Sequence, residues 1–135
     1  MDYNEIKRRY AAGERDFSGL DLTGARLSRI NLAQANLSGT NLSGALLNEA
    51  NLWQANLSNA ILHNIDLCHA NLTEADLTDA DLSGAIVINA NLTGAKLSNT
   101  NFQWAALTQA IPSNIDLSDA IISRTILPCG RPSDI

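Results

Sequence analysis

A central apolar residue returns every fifth position from Phe17 to Leu127, through twenty-three consecutive pentads without a slip. It is leucine almost throughout, with Phe17, Val87, Phe102, Pro112 and Ile122 as the exceptions. Calling that residue position i, position i−2 is commonly alanine, as at Ala25, Ala35, Ala45, Ala50, Ala55 and Ala60. Position i−1 is commonly Asn or Asp, i+1 is usually Ser or Thr, and i+2 is often Gly, Asn or Asp. An α-helix needs apolar residues near a 3.6-residue period, so a five-residue repeat would smear them around its axis. A strand needs period two, which holds only locally: i−2 and i share a face while i−1 and i+1 point away. Each pentad is therefore a short extended piece with two inward residues, followed by a bend made of residues that accept turn conformations. If every unit bends the same way by roughly a quarter turn, the chain closes a square coil and stacks on itself. Fixed-period self-similarity of this kind marks a solenoid.

Composition fits a narrow core. The chain has 135 residues, enough for one domain, and its aromatics are only 4%. The apolar content is mostly Leu and Ala. Leu fills each side of a tight square and Ala keeps the adjacent inner position small. Larger residues at i−2 fall near the ends of the repeat, at Leu20, Ile30 and Ile115, where bulk would plug an open core; Ile65, in the middle, does not follow this rule. The i−1 residues recur in vertical register every twenty residues, as at Asn31, Asn51, Asn71 and Asn91. Such a column is expected to form a polar ladder from coil to coil.

The unit A-[DN]-L-[ST]-x, clean over Ala70-Asn71-Leu72-Thr73-Glu74-Ala75-Asp76-Leu77-Thr78-Asp79, resembles the pentapeptide repeat proteins. The resemblance implies an all-β fold, a right-handed quadrilateral parallel β-helix with four pentads per coil. Twenty residues per coil gives about five and a half coils, and at the ~4.8 Å spacing of stacked strands the tower is roughly 25 Å tall. The lead-in Tyr10-Ala11-Ala12-Gly13-Glu14-Arg15-Asp16-Phe17-Ser18-Gly19 is similar to that of many cyanobacterial members. It hints at origin rather than function.

The ends do not repeat. Residues 1–13 read as a capping helix, with Asp2 or Asn4 as N-cap, Ile6 and Tyr10 on one face, Tyr3 joining them, and Gly13 as the stop. A solenoid needs such a cap because its end coil exposes core and unpaired backbone. The β-helix is expected over 14–128. Pro128, Gly130 and Pro132 end the coil, and the tail 129–135 contains no amphipathic helix. Either the tail folds over the opening, or the protein is an end-to-end homodimer through its C-terminal coil rather than a monomer. Pro112, at a central position, is expected to cost one stacking bond and leave the frame otherwise intact.

No catalytic constellation stands out, so the chain is read as non-enzymatic and without a cofactor. His63, Cys68 and His69 point outward and lack the spacing of a closed metal site. Cys68 and Cys129 stack three coils apart, about 14 Å, beyond disulfide reach. The formal net charge of −5 lacks the basic footprint of a nucleic-acid-binding surface. There is no apolar run long enough for a membrane span. The polar start Met1-Asp2-Tyr3-Asn4-Glu5 does not resemble an export signal, and the expected location is cytoplasmic.

Two surfaces remain. Leu46, Ile86, Ala106 and Ile126 are apolar at i−1 and stack on one side, joined by Ile88; Asp66 interrupts them. Trp53 and Trp104 are outward aromatics. These seven apolar residues are the candidate protein-contact surface, for a partner the sequence does not identify. Some members of the resembled family mimic duplex DNA with an acidic tower and engage DNA gyrase, which gives an alternative reading. The corresponding column here is Asp16, Asn36, Asn56, Asp76, Lys96 and Asp116; Lys96 breaks the single sign a mimic requires.

Overall fold

The computed structural model describes residues 1–133; the last two residues of the expected 129–135 tail lie outside them. The repeat coils into a right-handed, four-sided parallel β-helix. Parallel bridges join pentads twenty residues apart, as from Asp16 to Asn36, Asn36 to Asn56, Asn56 to Asp76 and Asp76 to Lys96. Side 1 carries central residues Phe17 to Leu117, side 2 Leu22 to Ile122, side 3 Leu27 to Leu127, and side 4 Leu32 to Pro112, each in steps of twenty.

The pentad length follows from where its five backbone donors go. Around Leu72, the Ala70 N–H closes the preceding turn on the Leu67 carbonyl at 3.0 Å, and the Asn71 N–H reaches down one coil to Ala50 at 2.9 Å. The Leu72 and Glu74 N–H groups reach up one coil to Asn91 and Thr93, both at 2.8 Å. The fifth, from Thr73, donates to the Asn71 side-chain Oδ1 at 3.0 Å. Every donor is satisfied, as backbone packed into a stack requires.

This corrects the expected Asn ladder. Asn31, Asn51, Asn71 and Asn91 do not bond to one another; each accepts from the i+1 N–H of its own pentad, at 3.0–3.1 Å. An Asx side chain mimics a backbone turn in this way. The coil-to-coil side-chain bonds lie at the corners instead, as in Gln34 to Gln54 at 2.9 Å, Gln54 to Glu74 at 3.2 Å and Arg29 to Glu49 at 2.6 Å. Position i+2 holds positive φ in every pentad from Gly19 to Gln109, the second central residue of a type II turn. That is why Gly and Asn recur there; at Gly84 an added Cβ would also fall 2.2 Å from the Asn64 side chain.

The core is one column of leucines, dry from Leu22 to Leu92, lined by alanines that are dry from Ala35 to Ala90. Ile65 is buried in mid-tower with nothing in the structure to explain its size. Thr40, Thr100 and Thr125 occupy inner i−2 positions and are fully buried, but each hydroxyl donates to a backbone carbonyl at 2.7–2.8 Å.

At the N-terminal end α1 spans Tyr3–Ala11, with Asp2 as N-cap accepting from the Glu5 N–H at 2.9 Å. Ile6 is buried, and the Tyr10 hydroxyl donates to the Ala33 carbonyl at 2.8 Å, fixing the helix to the tower. The Arg15 guanidinium stacks on the Tyr10 ring at 3.6 Å.

The opposite end is less regular. Pro112 disturbs more than one bond, contrary to expectation. The Ile111–Pro112 peptide is cis, and Asn114 and Asp119 lack the positive φ held by their counterparts below. No bridge joins Lys96 to Asp116, and the Asn99 N–H bonds the Asp119 carbonyl, one residue out of register. The stack resumes where Asn101 pairs with Ile121. The tail then turns on Gly130 and comes back antiparallel, Pro132 beside Ile126.

Candidate protein-contact surface

The bridge Arg26–Leu46–Asp66–Ile86–Ala106–Ile126 runs up side 3. It brings together four of the expected contact residues, with Asp66 between Leu46 and Ile86. Leu46 and Ile86 are about two-fifths exposed; Ile88, Ala106 and Ile126 are half-buried. Leu46 and Ile86, two coils apart, are separated by about 10 Å.

Trp104 lies at the corner between sides 2 and 3, two residues before Ala106, and is 64% exposed. The Arg124 guanidinium, one coil above, stacks over its ring at 4.8 Å. Trp104, Arg124, Ile126 and Pro132 line an open groove there. The twenty-residue register places Arg124 one coil above Trp104 but does not give the stack itself, and the returning Pro132 has no signal in the repeat. Trp53 is not part of this surface. It sits on side 4, in the pentad after the corner that follows Leu47, and joins none of the side 3 residues.

Side 3 differs from the others in its local bonding. All fourteen Asn and Asp residues at i−1 accept from their own i+1 N–H. On side 3 only Asp66 does so; Arg26, Leu46, Ile86, Ala106 and Ile126 cannot. Each lost bond forgoes about 0.5–1.5 kcal/mol. At the last of these pentads the i+1 residue is Pro128, which has no N–H to satisfy.

Side 1 carries the acidic column. The hydroxyl and then the N–H of Ser18 hold the Asp16 carboxyl below its usual range, and Ser118 does the same for Asp116. Burial pushes the Asp76 carboxyl up, but the Thr78 hydroxyl and N–H and the Lys96 charge outweigh it, and the net direction is down. These carboxylates are ionised, with one oxygen already engaged in the Asx bond.

His63 is held by Ser83 through Nδ1 at 2.8 Å and by Asn64 through Nε2 at 3.0 Å. Burial, then the Asp66 carboxylate, push the Cys68 thiol up, away from the reactive thiolate. Cys68 and Cys129 are both free. Among the described residues no three His, Cys, Asp or Glu side chains are grouped to hold a metal ion, and no helix is long and apolar enough to cross a membrane.

A four-sided coil of pentads defines the class of protein, and comparison identifies the family. The family model for pentapeptide repeats matches in eight copies, over residues 16–54, 35–74, 54–87, 75–114 and 97–127. The chain belongs to the pentapeptide repeat family. It is 30% identical to Rfr23, a pentapeptide repeat protein from the cyanobacterium Cyanothece 51142, covering 90% of this chain and 92% of that one with a TM-score of 0.73. It is 38% identical to HetL, a pentapeptide repeat protein involved in heterocyst differentiation regulation from Nostoc sp. strain PCC 7120, at a TM-score of 0.48. That match covers 82% of this chain but spans only about half, 48%, of HetL. QnrB1, a plasmid-mediated fluoroquinolone resistance protein, shares the fold at 20% identity and a TM-score of 0.59, covering 83% of this chain and 70% of that one. None of the curated proteins compared with the chain matches it.

Proposed function

We propose that the protein is a non-enzymatic scaffold that binds a protein partner through side 3, around Leu46, Ile86, Ile88, Ala106 and Ile126, with Trp104 at the rim. The observation that supports this reading is the pattern of forgone Asx bonds. Sides 1, 2 and 4 keep that bond in most of their pentads, while side 3 keeps it only at Asp66. A side that gives up backbone satisfaction for outward apolar side chains is organised for contact rather than for stability. The rigid tower suits recognition without rearrangement, because no loop has to be ordered on binding. The expected setting is the cytoplasm. Capture of partners from the native host, repeated with Leu46→Asp and Ile86→Asp together, tests the assignment. The variant is expected to lose a partner that the parent retains; unchanged capture would remove side 3 as the site.

A gyrase-directed role stands second. It rests on the Asp16, Asp76 and Asp116 carboxylates of side 1 and on a fold shared with QnrB1. Lys96 and the neutral Asn36 and Asn56 weaken the one-signed field that mimicry of DNA requires. Addition of the protein in large molar excess to a gyrase supercoiling assay is expected to leave activity unchanged. Inhibition, or protection from a quinolone, would reverse the order of the two readings.

A further inference from the structure

Charge is unevenly placed along the chain. Six of the nine Lys and Arg residues fall within the first 31 positions, against five acids, while the rest of the chain carries three cations against nine acids. The capped end is net positive, and the tower beyond it is strongly acidic.

That end also holds a cavity. Tyr3, Lys7, Tyr10 and Ala11 are spaced by three and four residues and so share one face of α1. This face meets Arg29 and Ile30, at the corner between sides 3 and 4, and encloses with them a half-open cavity of about 330 Å³, at the lower end of the size of small-molecule sites. Ala11 and Ile30 supply aliphatic surface and the tyrosines two rings. The Tyr10 wall is held in place, since its hydroxyl donates to the Ala33 carbonyl at 2.8 Å and the Arg15 guanidinium covers its ring at 3.6 Å. Two cations border the cavity. The Lys7 ammonium lies 5.9 Å from the centre of the Tyr3 ring, within cation–π range, and among the described residues it pairs with no carboxylate. Arg29 gives its Nε–H to Glu49 at 2.6 Å, and its two terminal amines have no partner among the described residues.

We propose that this cavity binds a small aromatic monocarboxylate. The ring of the ligand lies against the tyrosines and Ile30. Its acid meets the Lys7 ammonium and the free amines of Arg29, whose planar fork matches a carboxylate. Lys7, Arg29 and Glu49 together carry one net positive charge, which balances a monoanion. A phosphate monoester, at about −1.5 to −2, would exceed it. The site shares no residue with the side 3 surface and does not depend on that reading.

Titration of the isotope-labelled whole chain with 2-naphthoate, followed by NMR, tests the proposal. Saturable binding is expected, with a dissociation constant on the order of 1 mM or below, as suits so small a ligand, and with shifts centred on residues 3–11 and 29–31. The uncharged 2-naphthamide should bind at least tenfold more weakly. Lys7→Gln and Arg29→Gln should each weaken 2-naphthoate at least fivefold with circular dichroism unchanged, while Arg124→Gln, beside the other groove, should leave it as it is. Absence of saturable binding, equal binding of the amide, full affinity in a folded Lys7→Gln chain, or a loss in Arg124→Gln would overturn the proposal. Tighter binding of 2-naphthyl phosphate would overturn the assignment of a monoanion, and tighter binding of N-acetylphenylalanine would replace the free acid with the C-terminus of a peptide.

Discussion

The coils from Leu27 to Leu92 and the coil beyond Pro112 are built from the same five-residue unit, yet they differ in every physical respect that matters. In the pentads from Leu37 to Val87 four backbone donors bond other backbone groups, the fifth is met wherever i−1 is Asn or Asp, and the central side chain is dry. In the upper coil two turns lose their positive φ, one bridge is missing, and Leu117 and Ile122 are partly in solvent. The unit is not stable by itself. It becomes so only between two neighbours, because the i and i+2 donors point up and the i−1 donor points down. This is the one-dimensional logic of repeat proteins, in which each layer is held by the layers beside it.

The comparison can be broken first in the core. Leu57→Ala, between two complete coils, is expected to cost about 3–5 kcal/mol, because the surrounding backbone cannot collapse on the cavity. Leu117→Ala, in the open coil, should cost only about 1 kcal/mol by lost burial. Chemical denaturation of both variants checks the contrast; equal losses would mean that the upper coil is as tightly packed as the middle. Next comes the cap. Ile6→Ala should cost about 2–3 kcal/mol, since Ile6 is the one fully buried residue of α1, and thermal melting should show the N-terminal coil released.

A smaller effect isolates the Asx bond. Asn71→Ala leaves the Thr73 N–H without its acceptor and is expected to cost about 1 kcal/mol. Leu46→Asn adds the acceptor that side 3 lacks and should stabilise by a similar or smaller amount, read from the same denaturation curves. Should both changes prove neutral, the bond would not be the reason that Asn and Asp recur.

Acid gives a still finer test. The carboxyls of Asp16, Asp21 and Asp116 are lowered by a Ser or Thr hydroxyl and N–H two residues on. A lowered folded-state pKa contributes stability in full above the unfolded value, and that contribution is lost as pH falls through the lowered one. Melting temperature should therefore fall on acidification below the ordinary carboxylate range. The triple change Asp16→Asn, Asp21→Asn and Asp116→Asn should flatten that fall, since the amide oxygen still accepts the bond but does not titrate. All three residues lie near the ends of the tower, so their titration acts mainly on the end coils.

The fold was legible because the period is unbroken. Phe17 to Leu127 in steps of five determines which residues face inward, and stacking by twenty determines which meet. The Asn side chains turn to their own pentads rather than to the next coil, and the sequence carries the cue. An Asn two residues before an N–H is a local pattern, and a ladder between coils required a reach that the side chain uses at home. The disturbance around Pro112 exceeds what the frame shows, because a repeat frame records spacing, while the loss of positive φ at Asn114 and Asp119 is a matter of backbone shape. The return of the tail beside Ile126 is not legible in the sequence, since an antiparallel pairing of so few residues leaves no periodic trace. Of the surface, the register alone assembled Leu46, Ile86, Ala106 and Ile126, and it should have separated Trp53 from them. The Arg124 stack on Trp104 needed the coordinates.

Residue-resolved hydrogen exchange in solution tests the central claim most directly. Slow exchange is expected for the central N–H groups from Leu27 to Leu92, each bonded to the coil above, and fast exchange for Leu117 and Ile122, whose N–H groups have no backbone partner among the described residues. Leu117 and Ile122 amides as protected as those of Leu57 and Leu72 would contradict it.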